Sequence, residues 1–406
     1  MRVIVVNSGS SSIKYESFAL DGLVPVSKGL LERIGAQDSR LKHRWLGPDG
    51  TWEEAVESRP VADHRAGFAF ILEVSGRARA GSPTPEVFAV GHRVVHGGER
   101  FREPARIDEA TLAAIEELCP LAPLHNPANL TGIRVMRDLL PEVPQVAVFD
   151  TAFHQTMPPR AFHYALPARF YQEYGVRRYG FHGSSHRYVA REAARYLDVP
   201  PAELNLITLH LGNGASVAAI QGGRCIDTSM GLTPLEGLIM GTRCGDLDPA
   251  VPFFLQAKTG RPFAEIESLL NRESGLKGIC GANDMREVQQ RAQAGDTQAE
   301  LALDMFCYRI KKYIGAYFAA LGRVDALIFT GGIGENSAEV RARSCQGLAA
   351  LGIVVDEHKN GAVAGGLAPI HARQSRAAIL VIPTAEEQEI ARQTVAVVKE
   401  TQGERP

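Results

Sequence analysis

Three short glycine-rich segments could bring backbone N–H groups close to an anion. The first, SGSSS (8–12), interrupts an apolar run and lies just before Lys14. A β-hairpin needs only two turn residues, so five small residues beside a lysine indicate close approach to an anion such as phosphate. The pattern GxxxxGK[ST] does not fit, because Ile13 precedes the lysine and Tyr15 follows it.

The other two glycine-rich segments also follow apolar runs. They are HLGNGAS (210–216) and FTGGIGEN (329–336). Turns of this kind at strand ends expose backbone N–H groups to anions and nucleotides. The third segment lacks the GxGxxG spacing of dinucleotide-binding turns. Each turn alone could be a tight connection, but three of them favour a nucleoside triphosphate site.

Two arginines lie where an anionic partner is needed. Arg93 interrupts the apolar strand pattern GHRVV, and a buried guanidinium is costly unless it is paired with a carboxylate or a phosphate. Arg243 lies in the loop-like segment IMGTRCGD. Two interpretations are open. Both arginines could form structural ion pairs, with Asp246 or Asp248 beside Arg243, or both could bind a substrate anion.

Carboxylates and a histidine complete the candidates. Asp150 follows the strand pattern VAVF, at the edge where open α/β sheets bind ligands. We expect Thr384 and Glu387 to form a helix capping box, which leaves Glu386 for another role or for a simple helix-dipole interaction. His182 could donate a hydrogen bond to an anion, or it could be a core residue whose hydrogen bonds are made within the protein.

Composition limits the classes of function. The chain has 406 residues with a net charge of −2, which gives no general case for binding nucleic acid or an anionic membrane surface. The basic and aromatic segment 177–190 is too short to change that conclusion. Six scattered cysteines favour reduced thiols, and no apolar run approaches the roughly 20 residues of a membrane span. We therefore expect a soluble, cytoplasmic protein.

Strand and helix patterns alternate along the chain. The strand patterns lie at 87–95, 146–149, 206–211, 326–330 and 379–382. A helical pattern at 126–140 is expected to be capped by Asn126, with Pro127 in its first position. Another helix is predicted at 301–321, where apolar residues recur at helical spacing. This alternation indicates an α/β protein.

The first two glycine-rich segments share a longer pattern. Each combines an apolar strand, a polar residue, one spacer, a glycine-rich turn and a second strand. The polar residues, Asn7 and His210, each precede a glycine by two positions. The match indicates either two related halves, each with a glycine-rich hairpin turn, or only the general likeness of β-hairpins.

Eight segments taken together resemble the acetate kinase family. They extend from residue 3 to beyond residue 390 and read VNSGSSSIKY, GHRVVHGG, VFDTAFH, RRYGFHGSSHRYV, HLGNGAS, GLTPLEGLIMGTR, FTGGIGEN and PTAEEQEIA. The resemblance implies an α/β fold of two ribonuclease-H-like (actin-like ATPase) domains with a nucleotide cleft between them. It implies an N-terminal domain at 1–150, joined by a C-terminal helix at about 385–406, and a nucleotide-binding domain at 151–384.

The resemblance also implies roles for individual residues. The implied catalytic residues are an active-site aspartate and two transition-state stabilisers, Asp150, His182 and Arg243. The implied magnesium ligands, with Mn²⁺ as a substitute ion, are Asn7 and Glu386. The implied substrate contacts are Arg93, Val95, Leu124, Phe181 and Pro234. The implied ATP contacts are Lys14, His210, Leu211, Gly212, Asn213, Gly214, Asp284, Met285, Arg286, Gly332, Ile333, Gly334, Glu335 and Asn336. Positions that depart from the family pattern are Ala385, Lys277 and Cys280.

The implied reaction is a reversible, in-line transfer of a phosphoryl group from ATP to acetate, which gives acetyl phosphate and ADP. A carboxylic acid with a pKa of about 4 is already ionised at neutral pH, so no base is needed. The barrier is repulsion between two anions, which two arginines, a histidine and magnesium would reduce. Asp150 is then expected to orient these cationic groups or the water shell of the metal.

Several alternatives accompany this interpretation. Val95 favours acetate, because propionate-preferring relatives tend to carry a smaller residue there. One methylene changes binding by only about 1–3 kcal/mol, so propionate should react less well rather than not at all. The other candidates are a propionate kinase, an ATP-driven clamp of the Hsp70/actin kind, and a sugar kinase with a carboxylate base in place of the arginines. The family implies a homodimer, with no nucleic-acid or membrane partner.

Overall fold

The computed structural model describes residues 1–77 and 86–403. The chain divides into two compact units. Unit 1 comprises Met1–Ala152 and Ala385–Pro406, and unit 2 comprises Phe153–Thr384. Within the described ranges, every helix is too short or too polar to cross a lipid bilayer.

Unit 1 is built on a sheet with the strand order β5-β4-β3-β2-β1-β6-β8-β7. Its strands are β1 (Arg2–Ser8), β2 (Ser12–Ala19), β3 (Pro25–Glu32), β4 (Ser39–Leu46), β5 (Trp52–Arg59), β6 (Val87–Val94), β7 (Ala105–Arg106) and β8 (Gln145–Phe149). Its helices are α1 (His64–Arg77), α2 (Glu109–Glu117), α3 (Asn126–Leu139) and a C-terminal helix (Glu386–Thr401). Short 3-10 turns lie at Cys119–Leu121 and at Ala152–Thr156, where unit 2 begins.

Unit 2 is built on a second sheet with the order β11-β10-β9-β12-β14-β13. Its strands are β9 (Asn205–Leu211), β10 (Ala215–Gln221), β11 (Arg224–Thr228), β12 (Ala326–Thr330), β13 (Ala368–Pro369) and β14 (Ala378–Val381). Its helices are α4 (Pro159–Phe162), α5 (Ala168–Tyr174), α6 (Gly183–Leu197), α7 (Val251–Thr259), α8 (Phe263–Arg272), α9 (Gly275–Cys280), α10 (Met285–Gln293), α11 (Thr297–Leu321), α12 (Gly331–Asn336), α13 (Ala338–Cys345) and α14 (Glu357–Gly361). Its 3-10 turns are Pro201–Glu203 and Ala349–Leu351.

The two sheets share one topology. In unit 1, β1, β2 and β3 pair antiparallel, and β6 and β8 continue the sheet parallel to β1. In unit 2, β9, β10 and β11 pair antiparallel, and β12 and β14 continue parallel to β9. The predicted hairpins β1–β2 and β9–β10 thus occupy equivalent places. This shared order confirms the predicted α/β fold class and favours two related halves over a chance likeness of hairpins.

The C-terminal helix closes the core of unit 1. It packs on β1, β6 and β8, where Ile390, Ala391 and Val398 meet a row of buried valines. The approach is close at Gly91, where an added Cβ would clash with Thr394 Oγ1. A larger residue than glycine there would push this helix off the sheet.

The strand predictions are confirmed, but both predicted helix caps are wrong. Asn126 lies inside α3, and its side chain accepts from the N–H and donates to the C=O of His96. The buried loop after β6 therefore uses the amide that the pattern assigned to the helix end. Thr384 bonds Ser185 instead of capping, and Glu387 forms an ion pair with Lys14.

Candidate active site

In unit 1, a buried ion pair lies at the carboxyl ends of β6 and β8. Arg93 is paired in register with Val148, so Asp150, two residues on, comes beside its guanidinium. Arg93 Nε donates to Asp150 Oδ1 at 3.2 Å and Nη2 donates to Oδ2 at 2.5 Å. Arg93 Nη1 also donates to Asn7 Oδ1 at 3.3 Å. The structure thus brings Asn7, Arg93 and Asp150 together.

Several charged side chains act on one another in this cluster. Burial alone would lower the pKa of Arg93, but the carboxylates of Asp150 and Glu386 outweigh it and raise the pKa. Burial raises the pKa of Glu386, and the neighbouring Glu387 raises it further, although Arg93 opposes the shift. The ionised form of Glu386 would therefore gain from a further positive charge.

The donor set at this cluster fits magnesium. Mg²⁺ prefers oxygen ligands and usually keeps several waters while it binds one or two protein groups and substrate phosphates. The amide oxygen of Asn7 and the carboxylate of Glu386 are such ligands. In residues 1–77 and 86–403, no group of three or more His, Cys, Asp or Glu side chains is placed to hold a metal ion.

In unit 2, His182 and Arg243 lie beside the turn between β9 and β10. His182 directly precedes α6 in the left-handed conformation, with φ of 58°. Its ring stacks on His210 with 4.3 Å between ring centroids. A Cβ added to Gly214 would lie 3.5 Å from both His182 Nε2 and Arg243 Nη1. The glycine therefore leaves space at the place where the two side chains converge.

Arg243 is a half-buried cation without a carboxylate partner in the described part of the chain. Its Nη1 donates to the carbonyl of Pro234 at 3.1 Å. Asp246 accepts instead from a backbone N–H and a tyrosine hydroxyl, and Asp248 accepts from the N–H of Ala250. Burial lowers the pKa of Arg243. The structural ion-pair interpretation is therefore wrong for Arg243, whereas Arg93 does have a carboxylate partner.

A cavity of about 770 Å³ lies in unit 2, within the range typical of small-molecule sites. Many of the predicted ATP contacts line it. The lining residues are Gly212, Asn213, Asn283, Asp284, Met285, Arg286, Gln289, Gly332, Ile333, Asn336 and Ser337. Sequence analysis missed Asn283, Gln289 and Ser337. Nothing in their local pattern indicates a site, since Ser337 also caps α13 in the ordinary way.

The cavity wall at α12 depends on one glycine and one carboxylate. Gly331 has φ of 76°, and a Cβ there would lie 2.7 Å from the carbonyl oxygen of Leu211. Glu335 Oε1 accepts from the N–H groups of Gly331 and Thr384, at 2.9 and 3.1 Å. Glu335, a predicted ATP contact, therefore ties the start of α12 to the segment after β14.

Asp284 and Arg286 also line the cavity. Asp284 caps α10, and the 90% exposed Arg286 donates to it through Nη2 at 2.5 Å. The hydrogen bonds from Arg286 lower the pKa of Asp284 to about 2. The carboxylate is therefore ionised at neutral pH and holds the arginine at the rim.

The other predicted contacts differ in exposure and in unit. Val95 and Phe181 are buried, Pro234 is half-buried and Leu124 is 64% exposed. Val95 and Leu124 belong to unit 1, and Phe181 and Pro234 to unit 2. Leu211 is fully buried, so its side chain belongs to the core of unit 2. Lys14 belongs to unit 1, where it pairs with Glu387.

Arg341 is a structural support that sequence analysis missed. It is 1% exposed, and its Nη1 donates to the carbonyls of Gly334 and Glu335, both at 2.9 Å. Its Nε and Nη2 donate to Asn360. No carboxylate within the described ranges pairs with it, and burial lowers its pKa to about 10. Arg341 therefore holds the carboxyl end of α12 from behind the cavity.

Comparison with known proteins agrees with this architecture. The model of the Acetokinase family matches residues 2–392. The chain is 62% identical to an acetate kinase of Syntrophobacter fumaroxidans, over 98% of this chain and 97% of that protein. It is 54% identical to one of Streptomyces coelicolor, over 98% of each.

Solved structures give the same result. The chain is similar to the Porphyromonas gingivalis acetate kinase, with a TM-score of 0.93 at 44% identity over 98% of this chain and 100% of that one. The chain is also similar to a propionate kinase from Francisella tularensis, with a TM-score of 0.89 at 40% identity. The match covers 97% of this chain and 99% of that one. The family match and the full-length identities together show that the chain belongs to the acetokinase family.

Proposed function

We propose that this protein transfers the terminal phosphoryl group of ATP to acetate, reversibly and with magnesium, to give acetyl phosphate and ADP. The observation that carries the proposal is Arg243. It is a desolvated guanidinium beside His182 with no carboxylate partner in the described part of the chain, so a bound anion would stabilise it. Full-length identity with acetate kinases supports acetate as the acceptor.

Each candidate residue has a role in this reaction. Asp150 keeps Arg93 charged and oriented, and Arg93 binds the carboxylate of acetate. Acetate is already an anion, so Asp150 does not act as its base. Arg243 and His182 donate to the equatorial oxygens of the phosphoryl group, where negative charge is held in the transition state.

Asn7 and Glu386 would hold the magnesium ion. When bound, Mg²⁺ supplies positive charge to the phosphate oxygens of ATP. The raised pKa of Glu386 supports this assignment, because a cation would favour its ionised form. Arg93 and Asp150 stay bonded to each other beside this ion site.

A hydroxylamine trap tests the proposed reaction. The full chain is incubated with Mg-ATP, hydroxylamine and one acceptor at a time: acetate, propionate, butyrate or glucose. We expect acetate to give the fastest hydroxamate formation, propionate to give about 5- to 150-fold lower kcat/KM, and butyrate to give less again. Faster reaction with propionate would assign a propionate kinase. ATP turnover that no acid stimulates, or that glucose stimulates, would overturn the proposal.

Arg341 offers a prediction about the nucleotide site. Arg341→Met should raise the KM for ATP by about tenfold and lower Tm, because the buried carbonyls of Gly334 and Glu335 lose their donor. The KM for acetate should change little. The control is Arg343→Met, two residues away, whose guanidinium lies in partly exposed ion pairs with Glu300 and Glu339. An unchanged KM for ATP in Arg341→Met would limit Arg341 to a role in stability.

We also propose that the protein is a homodimer. Helix α7 contains no buried residue and exposes Phe253 and Phe254, by 62% and 60%. Phe263 of α8 lies against Phe253 and is 50% exposed. Adjacent exposed aromatic side chains are typical of a surface that another protein covers.

Disrupting this aromatic surface should separate the subunits. We expect the double variant Phe253→Asp, Phe254→Asp to elute with a monomer mass in light-scattering chromatography, where the unmodified protein gives a dimer mass. Leu166→Asp, at another exposed apolar residue of unit 2, is the control. A dimer that survives the double variant would place the interface elsewhere.

We assign the protein to the cytoplasm. All six cysteines are free thiols, as expected in a reducing compartment. Its proposed substrate, ATP, is made and used there. Fractionation of the source cells would test this assignment.

A further inference from the structure

A chain of hydrogen bonds runs behind His182 into the core of unit 2. His182 Nδ1 lies 2.9 Å from Ser216 Oγ, and Ser216 Oγ lies 2.8 Å from His186 Nε2. On its other side, His186 Nδ1 lies 2.7 Å from Thr208 Oγ1. Thr208, Ser216 and His186 are fully buried, so water cannot substitute for any of these partners.

Each hydrogen bond in this series has one donor and one acceptor. A serine hydroxyl has one hydrogen, so Ser216 can donate to only one of its two histidine neighbours and must accept from the other. A neutral histidine likewise donates from one ring nitrogen and accepts at the other. Burial, together with nearby His154 and His210, lowers the pKa of His186 well below its usual value, which keeps this ring neutral. The choice of donor at one end of this series of hydrogen bonds therefore fixes the donor at every other step.

Thr208 determines the direction of these hydrogen bonds. Within the described ranges, the only hydrogen-bond partner of its hydroxyl is His186 Nδ1. If this hydroxyl accepted, its own hydrogen would be buried without an acceptor. The cost of such a donor corresponds to a preference of about 5- to 150-fold for the donating arrangement. Thr208 therefore donates to His186 Nδ1.

The remaining steps follow in order. His186 then carries its hydrogen on Nε2 and donates to Ser216, and Ser216 donates to Nδ1 of His182. A neutral His182 must therefore carry its hydrogen on Nε2. That nitrogen faces the space beside Gly214 that Arg243 Nη1 also borders.

We propose that Thr208, His186 and Ser216 are positioning residues that keep a hydrogen on His182 Nε2, so that a neutral His182 can donate to the transferring phosphoryl group. This proposal rests on the proposed function for the identity of the anion. The stack of His182 on His210 fixes the plane of the ring, and the hydrogen-bond chain fixes which nitrogen carries the hydrogen. The opposite tautomer would present a lone pair to an anion.

Nitrogen NMR of the full chain with ¹⁵N-labelled histidine tests the tautomer directly. His182→Gln identifies the signals of His182. We expect a protonated, pyrrole-type Nε2 and a pyridine-type Nδ1 in the unmodified protein at a pH where His182 is neutral. A protonated Nδ1 would overturn the proposal, and this measurement is made on the unmodified protein, with His182→Gln needed only to assign the signals.

Variants test the consequence for catalysis. Thr208→Val keeps the shape but removes the donor, so both tautomers should appear and kcat should fall by about twofold. Ser216→Ala removes the partner of His182 and should lower kcat by about 10- to 100-fold, with KM for ATP and acetate within about twofold. Thr228→Val is the matched control. The buried hydroxyl of Thr228 donates to the carbonyl of Val217 and takes no part in the hydrogen bonds that lead to His182.

The outcomes separate the two proposals. Hydroxamate formation with a pyrrole-type Nε2 supports both. Activity with the other tautomer, or an effect of Thr228→Val equal to that of Thr208→Val, overturns only the positioning role. Absence of acetate-dependent hydroxamate in the unmodified protein overturns the proposed function, while the NMR result still decides the tautomer.

Discussion

Arg243→Ala is expected to lower kcat by about 10³-fold or more while the protein stays folded. Arginines that stabilise a transferring phosphoryl group contribute about 10³- to 10⁵-fold to the rate. Removal of Arg243 should cost little stability, because the groups that lose a donor are the carbonyl of Pro234 and the thioether of Met240, which is a weak acceptor. The buried charge itself is unfavourable, so Tm should stay the same or rise slightly. Hydroxamate kinetics and a thermal melt measure the two effects.

Two controls distinguish a catalytic role of Arg243 from a structural role in stability. Arg243→Lys keeps a charge but loses the planar fork, so it should recover only part of the rate. Arg178→Ala removes an arginine that pairs with Glu236 at 2.6 Å and donates to three backbone carbonyls. That variant should lower Tm clearly. If Arg243→Ala lost Tm to the same extent and kept its rate, Arg243 would be structural.

The second large effect is expected at Asp150. Asp150→Asn should lower kcat/KM for acetate by about 10²- to 10³-fold, because Arg93 loses the carboxylate that orients it. It should also reduce the free energy of unfolding, by less than the roughly 3–5 kcal/mol of a fully buried charge left without partners, because Asn7 and Glu386 remain beside Arg93. Steady-state kinetics with acetate and denaturant unfolding measure these changes.

Magnesium distinguishes two roles of Asp150. If Asp150 acts through Arg93, raising the magnesium concentration should not restore Asp150→Asn. Recovery at high magnesium would instead assign Asp150 to the water shell of the metal, and a near-normal rate at ordinary magnesium would contradict both roles. Asp138→Asn is the control, since its ion pair with Arg65 is more than half exposed and worth at most about 1 kcal/mol.

Local pattern was sufficient for the framework of this protein. Alternating apolar residues located the strands, and the helical spacing of Leu303, Phe306 and Ile310 located the buried face of α11. These features depend on neighbours in the sequence. The helix caps failed because Asn126 and Thr384 bond to partners 30 and 199 residues away, which no local pattern can indicate.

The candidate site depended far more on resemblance than on pattern. Arg243 could equally have been paired with Asp246, and only the geometry shows that it is not. Arg341 and Arg343 stand two residues apart on one helix, yet one is buried under α12 and the other lies in partly exposed ion pairs. Their different roles come from tertiary contacts of α13, which the sequence around them does not reveal.

Unit 1 is formed by two segments that are far apart in the sequence, and this has a consequence for synthesis of the chain on the ribosome. The sheet that begins at Arg2 receives its covering helix only from Glu386–Thr401, after all of Phe153–Thr384 has been made. Until then the face formed by Val3, Val5 and Val146 has no cover from that helix. Unit 2 is contiguous and can fold first. We therefore expect the nascent N-terminal sheet to leave this apolar face open to other proteins until the last helix has been made.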